Sequence, residues 1–535
     1  MGFRPDCGTL GRAFGGTSAQ TGATALSGAV WIVAAVLVAV AGNAAAAPPP
    51  DAAAPEERCS ALARTDLSTL EDAPTRIAGS SWVGMAAGVP AHCRVRGHVE
   101  PAVGFEAVLP ATGWNGKFIE LGCGGFCGSI DALACHETLR RGYACIVSDM
   151  GHEGEGGRWA LEHPEARADW GYRGPHVTAL VGKALVGRYY GAPPARSYFD
   201  GCSTGGRLGL VEAQRFPWDF DGIIAGAPPV NFSANSMAQL WAALAATGKE
   251  GRAILDPASV ALLHKAVLAQ CDLDDGVRDG IVGNPRQCRV DPALLACSAT
   301  RNSECLSAAQ VTAAVKIYAG PFASGESRSA GGYMPGSELA WVGTYFSADG
   351  GRGYLYWYAG DKFRYALLDP APGERWQPSD LDFRRDHRRL GVMETLYSAS
   401  NPDLRPFRHR GGKLLVYQGW NDPFEPPAAI IDYFETAERV IGSRAATQEF
   451  FRLFMVPGMN HCGGGEGAWR IDYLPYLERW VEDGKAPDRL VGSHPDGATP
   501  DGIAFTRPVY PYPQRARFKG TGDPNDADSF VPDTN

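Results

Sequence analysis

The chain has 535 residues, 45% of them hydrophobic and 20% charged, values that fit a folded globular protein and exclude a disordered, collagen-like or multi-span membrane chain. Its net charge is −9 and it carries no run of five or more Lys/Arg, so neither nucleic acid nor an anionic membrane surface is an expected partner. A small neutral or organic molecule is.

Residues 1–47 read as an export signal. Arg4 and Arg12 supply positive charge, residues 29–41 form an apolar run too short for a comfortable span, and residues 43–47 offer the small side chains of a cleavage site. An uncleaved anchor is the alternative, but no second apolar span follows. The mature chain is expected to begin near Ala46 or Pro48 and to be secreted or periplasmic, without stable membrane association. Residues 48–57, rich in Pro and Ala, read as a short disordered lead-in. Of the 13 cysteines only Cys7 lies in the leader, which leaves an even number for an oxidising compartment and predicts disulfides. The close pairs Cys123/Cys127, Cys135/Cys145, Cys271/Cys288 and Cys297/Cys305 lack the paired C-x-x-C spacing of a zinc ribbon.

From 116 to 228 short apolar runs alternate with helical stretches. A strand at 117–121 runs into a Gly/Cys loop at 122–128; a helix is predicted at 132–141 and a buried strand at 143–147. A helix at 176–190 follows, then a strand at 198–200 that leads into Gly201-Cys202-Ser203-Thr204-Gly205, a helix at 207–215 and a strand at 222–225. Such alternation implies a parallel sheet. Between about 230 and 399 the alternation fades, cysteines cluster, and Tyr345, Phe346, Tyr354, Tyr356, Trp357, Tyr358, Phe363 and Tyr365 crowd together. This segment reads as an inserted lid. Strands return at 413–417 and 451–456, each ending in a polar loop, and from about 490 an extended surface tail is expected. The predicted organisation is a leader (1–47), an α/β core in two parts (48–229 and 400–535) and a large lid domain between them (230–399).

Gly201 to Gly205 fits G-x-S-x-G and lies directly after a strand and before a helix, where that pattern turns a serine hydroxyl out at the top of a sheet. A serine needs a base to take its proton and an acid to hold that base in the right tautomer. His461 and Asp422 each follow a predicted strand, and the order Ser203, Asp422, His461 is that of α/β-hydrolases. His152 and His176 precede the serine and are expected to make structural hydrogen bonds. An oxyanion would need backbone donors, expected at Thr204 and at Gly124 or Gly125. Cys202 adjoins the serine and Cys462 the histidine. Residues 271–281 gather carboxylates that repel one another unless a hard cation sits between them, although Val277 stands where an EF-hand needs glycine. A solvated acidic loop is the alternative.

Gly201-Cys202-Ser203-Thr204-Gly205-Gly206, Gly419-Trp420-Asn421-Asp422 and His461-Cys462-Gly463-Gly464-Gly465 together resemble the tannase and feruloyl esterase family, which also includes hydrolases of terephthalate monoesters. The resemblance covers most of the mature chain. It implies an α/β-hydrolase core, a lid over the pocket, a bridge between Cys202 and Cys462, and a structural Ca2+ held by the carboxylates of Asp272, Asp275 and Asp279 with the carbonyls of Val277 and Ile281. Two departures stand out. Similar proteins often carry a further cysteine pair where Tyr510 and Pro532 stand here, and Cys123, Cys127, Cys135 and Cys145 are additional, expected to pair locally. The function expected is a serine esterase acting on small aromatic esters of the gallate, hydroxycinnamate or terephthalate monoester type. A calcium-dependent surface-binding protein and a serine peptidase are the other readings of the same features.

Overall fold

The computed structural model describes residues 53–534 apart from 162, 249, 301–302, 323–330 and 500, so the leader and its cleavage site lie outside the described residues. A 9-stranded mixed sheet organises the molecule. Its strands are β1 (Thr75–Val83), β2 (His92–Val99), β3 (Val103–Pro110), β4 (Lys117–Leu121), β5 (Ala144–Ser148), β6 (Arg196–Cys202), β7 (Gly222–Gly226), β8 (Lys413–Gly419) and β9 (Phe451–Val456). They run in the order β1-β2-β3-β5-β4-β6-β7-β8-β9, antiparallel from β1 through the β3–β5 pair and parallel from β5 to β9.

Both faces of the parallel part are covered, so its strands read as continuous apolar runs with successive residues sent to opposite cores. On β4, Phe118 enters one core and Ile119 the other; on β7, Ile223 and Ile224 divide the same way, and on β8, Val416 and Leu415 do. The first core holds helices α1 (Gly174–Tyr190) and α2 (Thr204–Arg215). Pro175 in the first turn of α1 and left-handed Gly191 after its last set its bounds.

The strands β7 and β8 are adjacent and parallel, with Ile224 opposite Leu415, and the inserted segment leaves one and returns to the other. It contains α3 (Phe232–Thr247), α4 (Pro257–Cys271) and α5 (Tyr354–Asp361). A capping box between Asp256 and Ser259 starts α4. This insertion has a core of its own, in which small residues of α3 (Ala242, Ala243) meet Trp341, Tyr345 and Tyr356. Helices α6 (Pro427–Ile441) and α7 (Leu474–Asp483) complete the two layers, α6 in the first core and α7 in the second.

Three segments differ from the sequence reading. The strands β1 to β3 were not anticipated: β1 is half exposed and mixes Gly and Ser among its apolar residues, which leaves no clean alternation. The lead-in passes into a helix at Pro55–Leu62, pinned by the Cys59–Cys93 bridge. The tail is not merely extended, since β10 (Leu490–Pro495) pairs with β11 (Ile503–Val509) and β12 (Arg515–Phe518) with β13 (Phe530–Asp533). The remaining cysteines pair as 123–127, 135–145, 202–462, 271–288 and 297–305, so every cysteine beyond Cys7 is bridged. No helix among the described residues is long and apolar enough to cross a membrane.

Two glycines test this packing in opposite directions. A Cβ on Gly206 of α2 would lie 2.1 Å from the Gly226 carbonyl oxygen of β7, whereas one on Gly187 of α1 would meet nothing within 4 Å. Gly206→Ala should therefore abolish soluble expression or lower the melting temperature by more than about 5 °C, the shift that roughly 2 kcal/mol would give in a large domain. Gly187→Ala should stabilise by about 0.5–1 kcal/mol. Thermal melts of the two variants check both signs.

Candidate active site

Strand β6 ends at Cys202 and α2 begins at Thr204, and the residue between them is bent sharply. Ser203 has φ 60° and ψ −122°, outside the regions a side-chain-bearing residue prefers, at a cost of about 1–3 kcal/mol. Close backbone packing holds it there. A Cβ on Gly201 would fall 2.7 Å from the Gly205 backbone, and the Ser203 amide donates to the Gly226 carbonyl at 2.9 Å. The half-buried serine thus stands at the carboxyl end of the parallel strands, where open α/β sheets collect their ligands.

Asp422 and His461 follow β8 and β9. The His461 Nδ1 lies 2.8 Å from Asp422 Oδ2, with the imidazole 15% exposed and the carboxylate fully buried. Every side of that carboxylate is engaged: Oδ1 accepts from the Phe424 amide at 2.7 Å and the Glu425 amide at 3.0 Å, and Oδ2 accepts from Gln418 Nε2 at 2.8 Å. Such fixing orients the ring and assigns Nδ1 to the acid, which leaves Nε2 for other work. The Cys202–Cys462 bridge, with a Cα separation of 6.0 Å, ties the serine turn to the histidine loop. The bridge connects Ser203 and His461 through their neighbours in the chain.

The loop at 122–128 packs against the serine turn, where a Cβ on Gly205 would lie 3.1 Å from the Cys123 carbonyl oxygen. Its Cys123–Cys127 bridge closes a tight turn in which the Cys127 amide donates to the Gly124 carbonyl at 2.9 Å. The Gly125 carbonyl accepts from Thr204 Oγ1 at 2.6 Å, which brings the loop against the first turn of α2. Gly125 has φ +62°, and neither Gly124 nor Gly125 would have a neighbour within 4 Å of an added Cβ, so this side of the loop is open. The Thr204 amide is the first of its helix and has no intrahelical acceptor.

The two other histidines have structural partners. The His152 Nε2 lies 2.7 Å from the Phe126 carbonyl and its ring stacks on Trp159; burial pulls it down to about 4, so it is neutral near pH 7. His176 Nδ1 pairs with Asp219 at 2.5 Å.

An arc of rings runs from the histidine to the loop at 122–128. Phe424 stacks on His461 at 4.6 Å, Tyr354 leans on Phe424 at 5.8 Å, Tyr358 stacks on Tyr354 at 5.4 Å, and Phe126 meets the edge of Tyr358 at 5.0 Å. Of the lid aromatics, Tyr345, Phe346, Tyr356, Phe363 and Tyr365 are buried in packing, while Tyr354 and Trp357 are half exposed. The lid also grips the acid loop, through Tyr345 Oη to the Pro423 carbonyl (2.9 Å) and Gln239 Nε2 to the Phe424 carbonyl (3.1 Å). Sequence reasoning did not find Gln239, Gln418 or Glu425. They lie in no motif, and only the folded lid brings Gln239 to this loop.

The acidic loop after α4 sits apart from these groups. Asp275, Asp279 and Ile281 line a cavity of about 20 Å3 into which Arg507 also reaches. Asp272 turns Oδ1 to the amides of Asp279 (3.1 Å) and Gly280 (2.9 Å), Asp275 accepts from the Val277 amide (2.9 Å), and Asp279 Oδ2 pairs with Arg507 at 2.6 Å. Burial first, with repulsion from Asp279 and Asp274, pushes the Asp275 carboxyl up to about 7. Among the described residues no three His, Cys, Asp or Glu side chains already converge as a metal-binding group.

Known proteins resemble this chain along most of its length. An uncharacterized esterase of Xanthomonas campestris pv. campestris is 36% identical over 88% of this chain and 89% of its own. The mono(2-hydroxyethyl) terephthalate hydrolase of Piscinibacter sakaiensis is 34% identical over 83% of this chain and 85% of its own. The crystal structure of feruloyl esterase B from Aspergillus oryzae superposes with a TM-score of 0.77 at 27% identity, covering 89% of this chain and 100% of that one. The family described as tannase and feruloyl esterase matches residues 87–532. With an α/β-hydrolase sheet, an inserted lid and relatives that are ester hydrolases along nearly their whole length, the chain is a carboxylic ester hydrolase and belongs to the tannase and feruloyl esterase family.

Proposed function

We propose that the protein is an exported serine esterase that cleaves esters of small aromatic acids through an acyl-enzyme on Ser203. The observation that carries this reading is the His461–Asp422 contact at 2.8 Å, joined by the Cys202–Cys462 bridge to a serine held at φ 60°. His461 Nε2 takes the Ser203 proton as Oγ attacks the ester carbonyl, and the resulting imidazolium is stabilised by Asp422. The oxyanion lies at the start of α2, where the Thr204 amide and an amide of the loop containing Gly124 and Gly125 donate to it. His461 then protonates the departing alcohol. Water, activated by the same imidazole, releases the acid and restores Ser203.

The arc formed by Phe424, Tyr354, Tyr358 and Phe126 supports a flat acyl group, as in gallates, hydroxycinnamates or terephthalate monoesters. A protein with every cysteine beyond Cys7 bridged acts outside the reducing cytosol, in agreement with the leader. The acidic loop is a structural Ca2+ site in this reading. Its donors are hard oxygens, its cavity is about the size of one ion, and Asp275 is a buried carboxylate that forms no salt bridge among the described residues. Asp272, Asp275 and Asp279 with the carbonyls of Val277 and Ile281 would hold the ion. It would brace the lid and take no part in the chemistry.

Ser203→Ala should lower kcat for methyl gallate or methyl ferulate by at least about 10³-fold with an unchanged melting curve, and Asp422→Ala should cost less than His461→Ala. Retention of more than a few per cent of activity by Ser203→Ala would remove the serine from the mechanism. Loss of the Cys202–Cys462 bridge, by double replacement with Ala, should lower kcat more than it lowers thermal stability. Non-reducing peptide mapping that found Cys202 free would end that prediction. Excess chelator should lower the melting temperature of the wild type but not of Asp275→Asn. An unaltered wild-type melt, with no calcium found by elemental analysis, would leave the loop as an acidic turn neutralised by Arg507.

A further inference from the structure

A cavity of about 340 Å3 lies between the tail and the sheet, and none of Ser203, Asp422 and His461 lines it. Its size falls in the range of about 300–1,000 Å3 that small-molecule sites occupy. The local sequence accounts for it. Between β11 and β12 the chain reads Tyr510-Pro511-Tyr512-Pro513-Gln514, and proline has no N–H to offer a neighbouring strand. This stretch is fastened to β9 by the Tyr512 amide on the Leu453 carbonyl at 2.8 Å, and a cavity remains beside it. The acidic loop adjoins the same region, but its own small cavity is lined by Asp275 and Asp279, which do not line this one.

The walls are of two kinds. Trp420, Tyr510 and Pro513 supply flat apolar surface, and Arg286 and Arg515 supply positive charge. No carboxylate lines the cavity among the described residues, although the net charge of the chain is −9. Arg286 donates to Tyr512 Oη at 2.7 Å, which in turn donates to Glu435 Oε1 at 2.8 Å, and it forms no salt bridge among the described residues. Arg515 reaches Asp274 and Asp533 at 3.4 Å each, long beside the 2.7–2.9 Å or so of charge-assisted bonds, and its Nε is buried without a hydrogen-bond partner. A guanidinium carries five donors in a planar fork that matches a carboxylate. Part of that fork is open here.

We propose that this cavity is a second binding site, separate from the acyl site, for an aromatic carboxylate. The ring lies against Trp420 and Tyr510, and the carboxylate accepts from the Arg515 guanidinium while Arg286 adds positive charge to the same cavity. Two guanidinium groups exclude a cation, and an inorganic anion would leave the apolar wall uncovered. Trp420 belongs to the turn that carries Asp422, with its amide on the Val456 carbonyl at 3.0 Å, so a bound ring meets that turn two residues before the acid. The acid released by the proposed hydrolysis is of this class, yet the site needs no turnover to fill.

Isothermal titration of the wild type with benzoate, benzamide and acetate separates the two requirements. Benzoate should bind at least about tenfold more tightly than benzamide, which keeps the ring and loses the charge, and than acetate, which keeps the charge and loses the ring. Benzoate held at the acyl site would not respond to the two arginines, so variants locate it. Arg515→Gln should weaken benzoate at least about fivefold, and Arg286→Gln, at an exposed position that folding does not depend on, at least about twofold. Crystals soaked with 4-iodobenzoate give the location without a variant, and an anomalous iodine peak beside Trp420 is expected. Equal affinity for benzoate and benzamide, benzoate affinity unchanged in both variants, or the absence of an iodine peak beside Trp420 would overturn the inference. Binding at this cavity by a protein that hydrolyses no ester would overturn the esterase reading and leave the inference standing.

Discussion

The backbone at Ser203 is the constraint on which the rest depends. A side-chain-bearing residue at φ 60° and ψ −122° persists only where its surroundings allow no other course, and here they are backbone against backbone. Gly201 and Gly205 touch across the turn, Gly206 rides on the Gly226 carbonyl of β7, and the Ser203 amide is spent on that same carbonyl. The parallel register of β6 and β7 thereby fixes where the serine stands. The apolar runs of those strands, buried on both faces, are what hold that register.

The bridges divide the work by scale. Five span between 4 and 34 residues and shape single loops or anchor the amino-terminal helix; one spans 260 and joins the end of β6 to the loop after β9. Enclosed within that long loop is the whole insertion. The lid is consequently not a detachable cover: Tyr345 and Gln239 hold the loop that presents Asp422, and Tyr354 and Tyr358 extend the ring arc begun by Phe424. A deformation of the lid would be felt at the loop that carries Asp422.

Much of this was legible in the sequence because its signals are local. The strands β4 to β9 are apolar runs ending in Gly or polar turns, and G-x-S-x-G acquires meaning from the strand before it and the helix after it. The order of Ser203, Asp422 and His461 needs only loop positions, not distances. Illegible were β1 to β3, of which β1 is half exposed without a clean period and β3 is buried along nearly its whole length, and the sorting of the lid aromatics. That sorting had a usable signal: Tyr354 and Tyr358 are four apart on α5, whereas Leu355, Tyr356 and Ala359 turn inward. The short α5 gives too little periodicity to declare itself as a helix beforehand. Gln239 and Glu425 meet only through the fold, so no spacing could announce them.

The anchors by which the lid grips the acid loop are the main-chain carbonyls of Pro423 and Phe424. Every residue type carries the same carbonyl, so the loop makes no demand on the identity of its own side chains there, and any hydroxyl or amide donor of suitable reach serves on the lid. The grip on the loop that carries Asp422 is thus set by the reach of Tyr345 and Gln239 from the insertion and not by the side chains of Pro423 and Phe424.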